Sequence, residues 1–350
     1  MTLPRRQPAE WAPHEAVWIG WPSAADLWEN NLDPARDEVA AFIRAILFPD
    51  PAGGPARGER VELLFRGETA RRAAETMRRA LPDPDLVRLH EAPIGDIWLR
   101  DTGPIFVRGG EGLAVSAFRF NGWGGKYELP EDDRIAALVA EKAKARLARF
   151  DALVAEGGAL EPDGEGTVVT TRQCLLNPNR NPGLGEKDIE AILKAAVGAE
   201  KVIWLDEGLR GDHTDGHVDN LARFVAPGKI VCMRSYGDDP NKEVLAAIRR
   251  SLAAATDAGG RRLEVIEIPS PGCVALDDEP APASHMNFYI ANQSLAMPSY
   301  AGLTGDEKPA EEALAILKEV VDRPHFHAID SSHLLSGGGS FHCITQQQPR

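Results

Sequence analysis

Five side chains in this sequence have types and settings suited to chemistry: Cys343 in GGGSFHCITQQQP, His217 and Asp219 in HTDGHVDN, Asp101 in WLRDTGP and Glu156 in AEGG. A thiol attacks only as its thiolate, and with an ordinary pKa near 8.5 roughly 3% of it is ionised at pH 7. Cys343 as a nucleophile therefore needs a base or a positive charge beside it, and His217 is the candidate base. The three glycines before Cys343 either let backbone approach a ligand closely or form a plain turn. They are not a phosphate-binding P-loop, because no Lys-Ser/Thr follows and the sequence leaves no room for a helix behind them.

Competing readings attach to the same residues. His213, His217 and Asp219 have a spacing that would hold a metal if the segment were helical. Gly216 and the strand-like text that follows argue against that helix. Asp101 follows the apolar Ile97, Trp98 and Leu99, so its carboxylate is expected to be partly desolvated and to need a cation or hydrogen bonds. A structural pair with Arg100 and a place in a site satisfy that need equally. His342 is expected to point away from Cys343 by strand alternation, and with His325, His327 and His333 reads as structural or solvent-exposed. Cys174, Cys232 and Cys273 read as small buried hydrophobes. Glu165, Asp132, Asp133, Asp277 and Asp278 read as solvated turn or cap residues.

The elements that must position these groups repeat. Five stretches, GPIFVRGGEGLAVSAF, EGGALEPDGEGTVVTT, HVDNLARFVAPGKIVCM, HMNFYIANQSLAMPSY and GGGSFHCITQQQP, each lead from a polar or Gly-rich loop into β-rich text. Their reversals at GGEG, PDGEG, APGK and ANQS read as hairpin turns. Between them lie segments with helical apolar spacing, such as EKDIEAILKAAVG and KEVLAAIRRSLAAATDA, usually followed by a short strand such as KVIWLD. The unit is strand, strand, helix, strand at a period of about 60 residues, which signals a stacked or radial array. The last copy has one obvious strand, and AVWIGWP, residues 16–22, would supply the missing partner and close the ring. The helix after it starts at Asp33 and Pro34, buries Val39, Phe42, Ile43, Ile46 and Leu47, and ends at Pro49. In a closed array the loop ends face one way, so the five reactive residues are expected to meet.

Composition sets the bounds. With 43% hydrophobic and 26% charged residues among 350, the chain has ample material for a core, and no linker or low-complexity tract divides it, so a single domain over residues 1–350 is expected. The N-terminus has no apolar stretch of signal type and no run approaches a membrane span, which points to the cytoplasm and to no membrane partner. Four scattered cysteines without a CxxC pair argue against a zinc ribbon and a disulfide framework. A formal net charge of -14 disfavours nucleic acid and welcomes a cationic small molecule. A homo-oligomer is left open.

In order and along nearly the whole chain, WAPHEAVWIGWP, DIWLRDTGP, FNGWGGK, EGG with DGEGT, CLLNPNRNP, DGHVDN and GGGSFHCITQQQP resemble the agmatine deiminases within the wider bacterial peptidylarginine deiminase-like family. The resemblance implies an α/β fold, a five-bladed pseudosymmetric propeller of ββαβ modules called the pentein fold, with no cofactor and no metal. It implies Cys343 as nucleophile, His217 as general acid and base, Asp101 and Asp219 as guanidinium-binding carboxylates, and Glu156 as the acid that completes the triad. The reaction implied is hydrolysis of agmatine to N-carbamoylputrescine and ammonia, in polyamine biosynthesis, through a covalent thiouronium at the cysteine. Trp98 and Trp123 are candidates for the apolar wall of the substrate site, and Gly338 and Gly339 for its close backbone approach. The sequence departs from the family at Ser340 and Phe341, where Asn and Ile are more common, and at Ala159, Leu160 and Glu161, where Ser or Asn, an apolar residue and His are common. Other readings are a deiminase of free or peptidyl arginine, a metal-dependent hydrolase built on His213, His217 and Asp219, and a non-catalytic guanidine-binding protein.

Overall fold

A computed structural model describes residues 5–47, 58–109 and 112–350. Among these residues the strands form five sheets of three or four strands and one two-stranded ribbon. Four sheets are built alike. In the first of them, Ile105–Arg108 runs antiparallel to Leu113–Arg119, which runs parallel to Arg146–Val154. A parallel partner needs a crossover, and the helix Ile135–Lys142 provides it. Glu161–Pro162, Thr167–Thr171 and Lys201–Leu205 repeat the pattern around the helix Glu186–Val197. Ala222–Ala226, Lys229–Arg234 and Glu264–Pro269 repeat it around Lys242–Ala254, and Tyr289–Ile290, Ser294–Ser299 and His325–Asp330 around Lys308–Val320.

The fifth sheet joins the two ends of the chain. Thr345–Pro349 pairs antiparallel with His14–Gly20, with Trp18 opposite Gln346, and Arg60–Phe65 follows in parallel. The missing partner is therefore the N-terminal strand expected from AVWIGWP. This sheet goes further than the repeat expected, with a second crossover helix, Glu68–Arg79, and a fourth strand, Val87–Glu91. The APGK reversal has Gly228 at φ +72°, which only glycine adopts without strain. Gly110 and Glu111 of the GGEG reversal, and Pro49, lie outside the described residues.

The helix Leu32–Leu47 buries Val39, Phe42, Ile43, Ile46 and Leu47 as its spacing predicts. Each such side chain contributes about 1.5–3 kcal/mol by leaving water. The same face reaches the turn that carries Cys343, because the Phe42 ring stacks on Phe341 at a centroid distance of 4.9 Å. Phe341 stands two positions before Cys343, so a core helix fixes the backbone that presents the thiol. Two expectations are corrected here. Residues 341–344 form a turn and the strand starts at Thr345, so alternation does not govern the direction of His342. Asp132 is buried, not solvated, and accepts a 2.6 Å hydrogen bond from the Gly95 amide.

Candidate functional site

Cys343 is 5% exposed, and the neighbours of its turn determine its setting. The Asn287 Nδ2 donates to its Sγ at 3.1 Å, while Asn287 Oδ1 accepts the backbone N–H of His342 and of Cys343 at 3.0 and 3.3 Å. Gly339 is required because a Cβ there would lie 2.6 Å from the Trp98 ring and 3.1 Å from Sγ. That glycine packs against Trp98 and Cys343 instead of lining the pocket as expected, whereas Gly338 does line it. Burial pushes the thiol well above its ordinary pKa, and the carboxylates of Asp219 and Asp101 add to the rise.

His217 follows Gly216, whose φ of +85° turns the chain out of HTDG and into the short 3-10 turn Val218–Asn220. No helix carries His213 toward it. His213 is exposed and pairs with the Tyr127 hydroxyl at 2.8 Å, so the metal set of His213, His217 and Asp219 does not assemble. The imidazole of His217 is fully buried, with Nε2 3.5 Å from Glu156 and Nδ1 3.8 Å from Asp101. Burial opposes its charged form, but Asp101 and Glu156 outweigh burial and hold the imidazolium well above the usual histidine range. Glu156 stays ionised despite burial because His217 and Arg180 face it. Arg180, in the CLLNPNRNP segment, donates Nε to both Glu156 oxygens at 2.9 and 3.0 Å, and its other nitrogens hold Asp215 and the Thr214 carbonyl. One buried guanidinium thus ties Glu156 to the loop that carries His217.

The two aspartates face the same space. The Cys343 Sγ lies 3.9 Å from Asp219 Oδ2. Asp101 accepts hydrogen bonds from Trp123 Nε1 at 2.9 Å and from the Gly158 amide at 3.1 Å. Gly158 stands at the centre of the group: a Cβ on it would lie 2.6 Å from His217 Nδ1 and 3.0 Å from both Asp101 Oδ1 and Asp219 Oδ2. Burial lifts the Asp101 carboxyl to about 6, with Asp219 and Glu156 adding to the rise and His217 opposing it. Asp101 is not a structural partner of Arg100. The Arg100 side chain turns away to Gln347, Thr345 and the His342 carbonyl.

His342, expected to be structural or solvent-exposed, is buried behind the site. Its Nδ1 meets Asp219 Oδ2 at 2.7 Å and its Nε2 meets Glu10 Oε2 at 2.9 Å. Burial, with Arg100 and Arg223 nearby, lowers the ring's pKa below the usual histidine value, against the pull of Glu10 and Asp219. Arg223 in turn pairs with Glu10 and Glu161, so the departure at Glu161 is matched by a buried arginine under the site. Among the other cysteines, Cys174 and Cys232 are buried as expected, while Cys273 is exposed.

Asp101 and Cys343 form part of the lining of a pocket of about 590 Å³; His217, Asp219 and Glu156 lie behind them. Trp98 and Trp123 line it as expected, and Trp28, which the sequence reading passed over, joins them. Asp96 fixes Trp28 and Trp98 by accepting both indole N–H groups at 2.8 Å. Glu29 and Asp277 also reach the lining, Asp277 from the turn of the ribbon Ala275–Leu276 and Glu279–Pro280. Among the described residues the lining includes no lysine and no arginine.

The chain has a mixed α/β, pentein-like fold. It aligns over 96% of its length with a dimethylarginine dimethylaminohydrolase from Pseudomonas aeruginosa, which it covers to 99% at a TM-score of 0.50 and 12% identity, a likeness of fold alone. The profile of the Porphyromonas-type peptidyl-arginine deiminase family matches residues 6–349, and the chain belongs to that family. It is 37% identical to the agmatine deiminase of Ectopseudomonas mendocina, over 99% of this chain and 97% of that protein. The solved agmatine deiminase of Enterococcus faecalis superposes with a TM-score of 0.86 at 31% identity, covering 99% of this chain and 96% of that one. No described helix is long and apolar enough to cross a membrane.

Proposed function

We propose that this chain hydrolyses agmatine to N-carbamoylputrescine and ammonia, with Cys343 as nucleophile, His217 as general acid and base, Asp101 and Asp219 as the guanidinium grip and Glu156 orienting His217. The reading rests most on one observation: the Cys343 sulfur and an Asp219 oxygen are 3.9 Å apart at a pocket lined by Asp101, Asp96, Glu29 and Asp277 and, among the described residues, by no arginine or lysine. An α-carboxylate would call for a cationic clamp in that lining, whereas a second ammonium is matched by its acids. The five sheets are read as blades of one propeller and the chain as one catalytic unit, cytoplasmic and acting in polyamine synthesis.

The chemistry follows from charge. A planar guanidinium offers N–H donors on every nitrogen, so Asp101 and Asp219 grip it from two sides. Once there, the cation offsets the carboxylates that keep the thiol protonated. A unit charge at about 4 Å is worth about 4 kcal/mol when the effective dielectric is near 20. As the cation binds, the Cys343 thiol gives its proton to solvent, and the thiolate attacks the central carbon, forming a C–S bond and a tetrahedral carbon; the hydroxyl proton at the final collapse restores the thiol. His217, held as imidazolium, gives its proton to the departing nitrogen, and the C–N bond breaks to release ammonia. The remaining S-alkylthiouronium takes up water, whose proton returns to His217. Collapse breaks the C–S bond and leaves the ureido product, the free thiol and no net change in the enzyme.

Ammonia release from agmatine, free arginine and a blocked arginine, with mass analysis of adducts at Cys343, tests the reading. Turnover of agmatine well above both arginines and an adduct on Cys343 are expected. Preference for either arginine overturns the substrate, and turnover by Cys343→Ala overturns the chemistry.

A further inference from the structure

We propose that Glu156, Cys174 and His217 form a binding site for a thiophilic divalent cation of the zinc type, and that a cation bound there switches the enzyme off. One donor atom from each residue lies within 4.8 Å of the others. The Cys174 Sγ is 4.0 Å and His217 Nε2 3.5 Å from Glu156 Oε2. Zinc bonds of about 2.3 Å to sulfur and about 2.0–2.2 Å to nitrogen and oxygen, at tetrahedral angles, place the donors about 3.3–3.7 Å apart. Both separations from Glu156 Oε2 lie within about 0.5 Å of that range.

The site is built, beyond a chance approach of three donors. His217 is 0% exposed, and neither of its ring nitrogens has a hydrogen-bond partner. The Thr171 hydroxyl accepts from the Cys174 amide at 3.2 Å and donates to the Gly216 carbonyl at 2.7 Å. One side chain therefore fixes the cysteine's backbone against the backbone that precedes the histidine. Arg180 fixes Glu156 by donating Nε to both its oxygens, and the Cys174 thiol and His217 Nε2 both approach the same Oε2.

Charge balances on binding. His217 loses the proton that Asp101 and Glu156 hold on it, Cys174 loses its thiol proton, and one dication enters, so the buried group keeps its net charge. Two protons leave per metal, and affinity rises with pH. The Cys343 sulfur, Asp101 and Asp219 are not ligands, so agmatine still binds, but His217 no longer carries protons. The inhibitory consequence rests on the function proposed above; the binding does not.

Co²⁺ titration of the full-length Cys343→Ala protein tests the binding, because a thiolate ligand gives a near-ultraviolet charge-transfer band and tetrahedral cobalt gives visible bands. Saturation at one metal per chain, displacement by Zn²⁺, and loss of the band on adding Cys174→Ala are expected. His217→Ala in the same background, needed if the cysteine variant does not fold, is expected to weaken binding at least a hundredfold. No charge-transfer band in Cys343→Ala, or a band in intact protein that vanishes with Cys343 and survives loss of Cys174, overturns the site. In the intact enzyme, Zn²⁺ is expected to lower kcat in a way that excess agmatine does not relieve and a chelator does, with Cys174→Ala at least tenfold less sensitive. Competition with agmatine overturns the switch.

Discussion

The Cys343 sulfur lies 3.9 Å from an oxygen of Asp219, so the thiolate and the carboxylate repel each other once both are ionised. The thiol is held protonated by burial, Asp219 and Asp101. Asp219→Asn is therefore expected to move the midpoint of Cys343 alkylation to lower pH, making the free thiol more reactive. Agmatine turnover moves the opposite way, because losing one carboxylate from a desolvated ion pair costs about 3–5 kcal/mol, or about 10²–10⁴-fold in kcat/KM. Iodoacetamide rates against pH, set beside steady-state kinetics, check both. An unchanged alkylation profile removes Asp219 from the thiol's environment.

Asp101 carries a stability cost with a definite sign. Its folded pKa of about 6 stands above the reference 3.8, so the contribution to stability present at low pH is lost as pH rises through 6. The loss amounts to about 3 kcal/mol at neutral pH, and it is net of the attraction to His217, which works the other way. Asp101→Asn should raise the melting temperature by several degrees near pH 8, with the gain shrinking toward pH 4, while abolishing turnover. Calorimetry across that range decides, and a gain that does not depend on pH counts against the electrostatic cause.

Gly158 is where geometry alone makes a prediction. Its missing Cβ would sit 2.6 Å from His217 Nδ1 and 3.0 Å from both aspartates. Gly158→Ala must push at least one of these groups away, and misplacement by about 1 Å costs about 10²-fold in rate. A folded protein by circular dichroism with kcat down by that order is expected. Near-normal kcat would mean that the three side chains are not held to one geometry.

The placement of Cys343, His217, Asp219, Asp101 and Glu156 together, and the repeat that gathers them, are legible because both are local signals: short motifs at loop ends and a periodic alternation of strands and helices. The partners that tune them were not legible, since they lie far away along the chain. Glu10 touches His342 across 332 positions, and Asn287 touches Cys343 across 56. Nothing in their neighbourhoods marks them. Strand alternation does not set the direction of His342, because FHCI is a turn, and Asp132 sits in a turn-like segment where an acid looks solvated although the Gly95 amide packs against it. Arg180 lay in a motif that was noticed, yet its reach to both Glu156 and the Asp215 loop depends on how two sheets meet.

Asn287 offers the last prediction. It is the one described side chain that donates a hydrogen bond to the Cys343 sulfur, and that bond favours the thiolate against the burial that opposes it. Asn287→Ala removes a donor to a charged acceptor, worth about 1.5–3 kcal/mol, so kcat is expected to fall about 10–10²-fold. Asn287→Asp keeps the shape and places a third carboxylate beside the sulfur, which should lower kcat further and shift the rising limb of the pH–rate profile to higher pH. The contrast between the two variants separates loss of a donor from added charge. Equal losses with the same pH profile would show that Asn287 acts only by holding the backbone of His342 and Cys343 through its Oδ1.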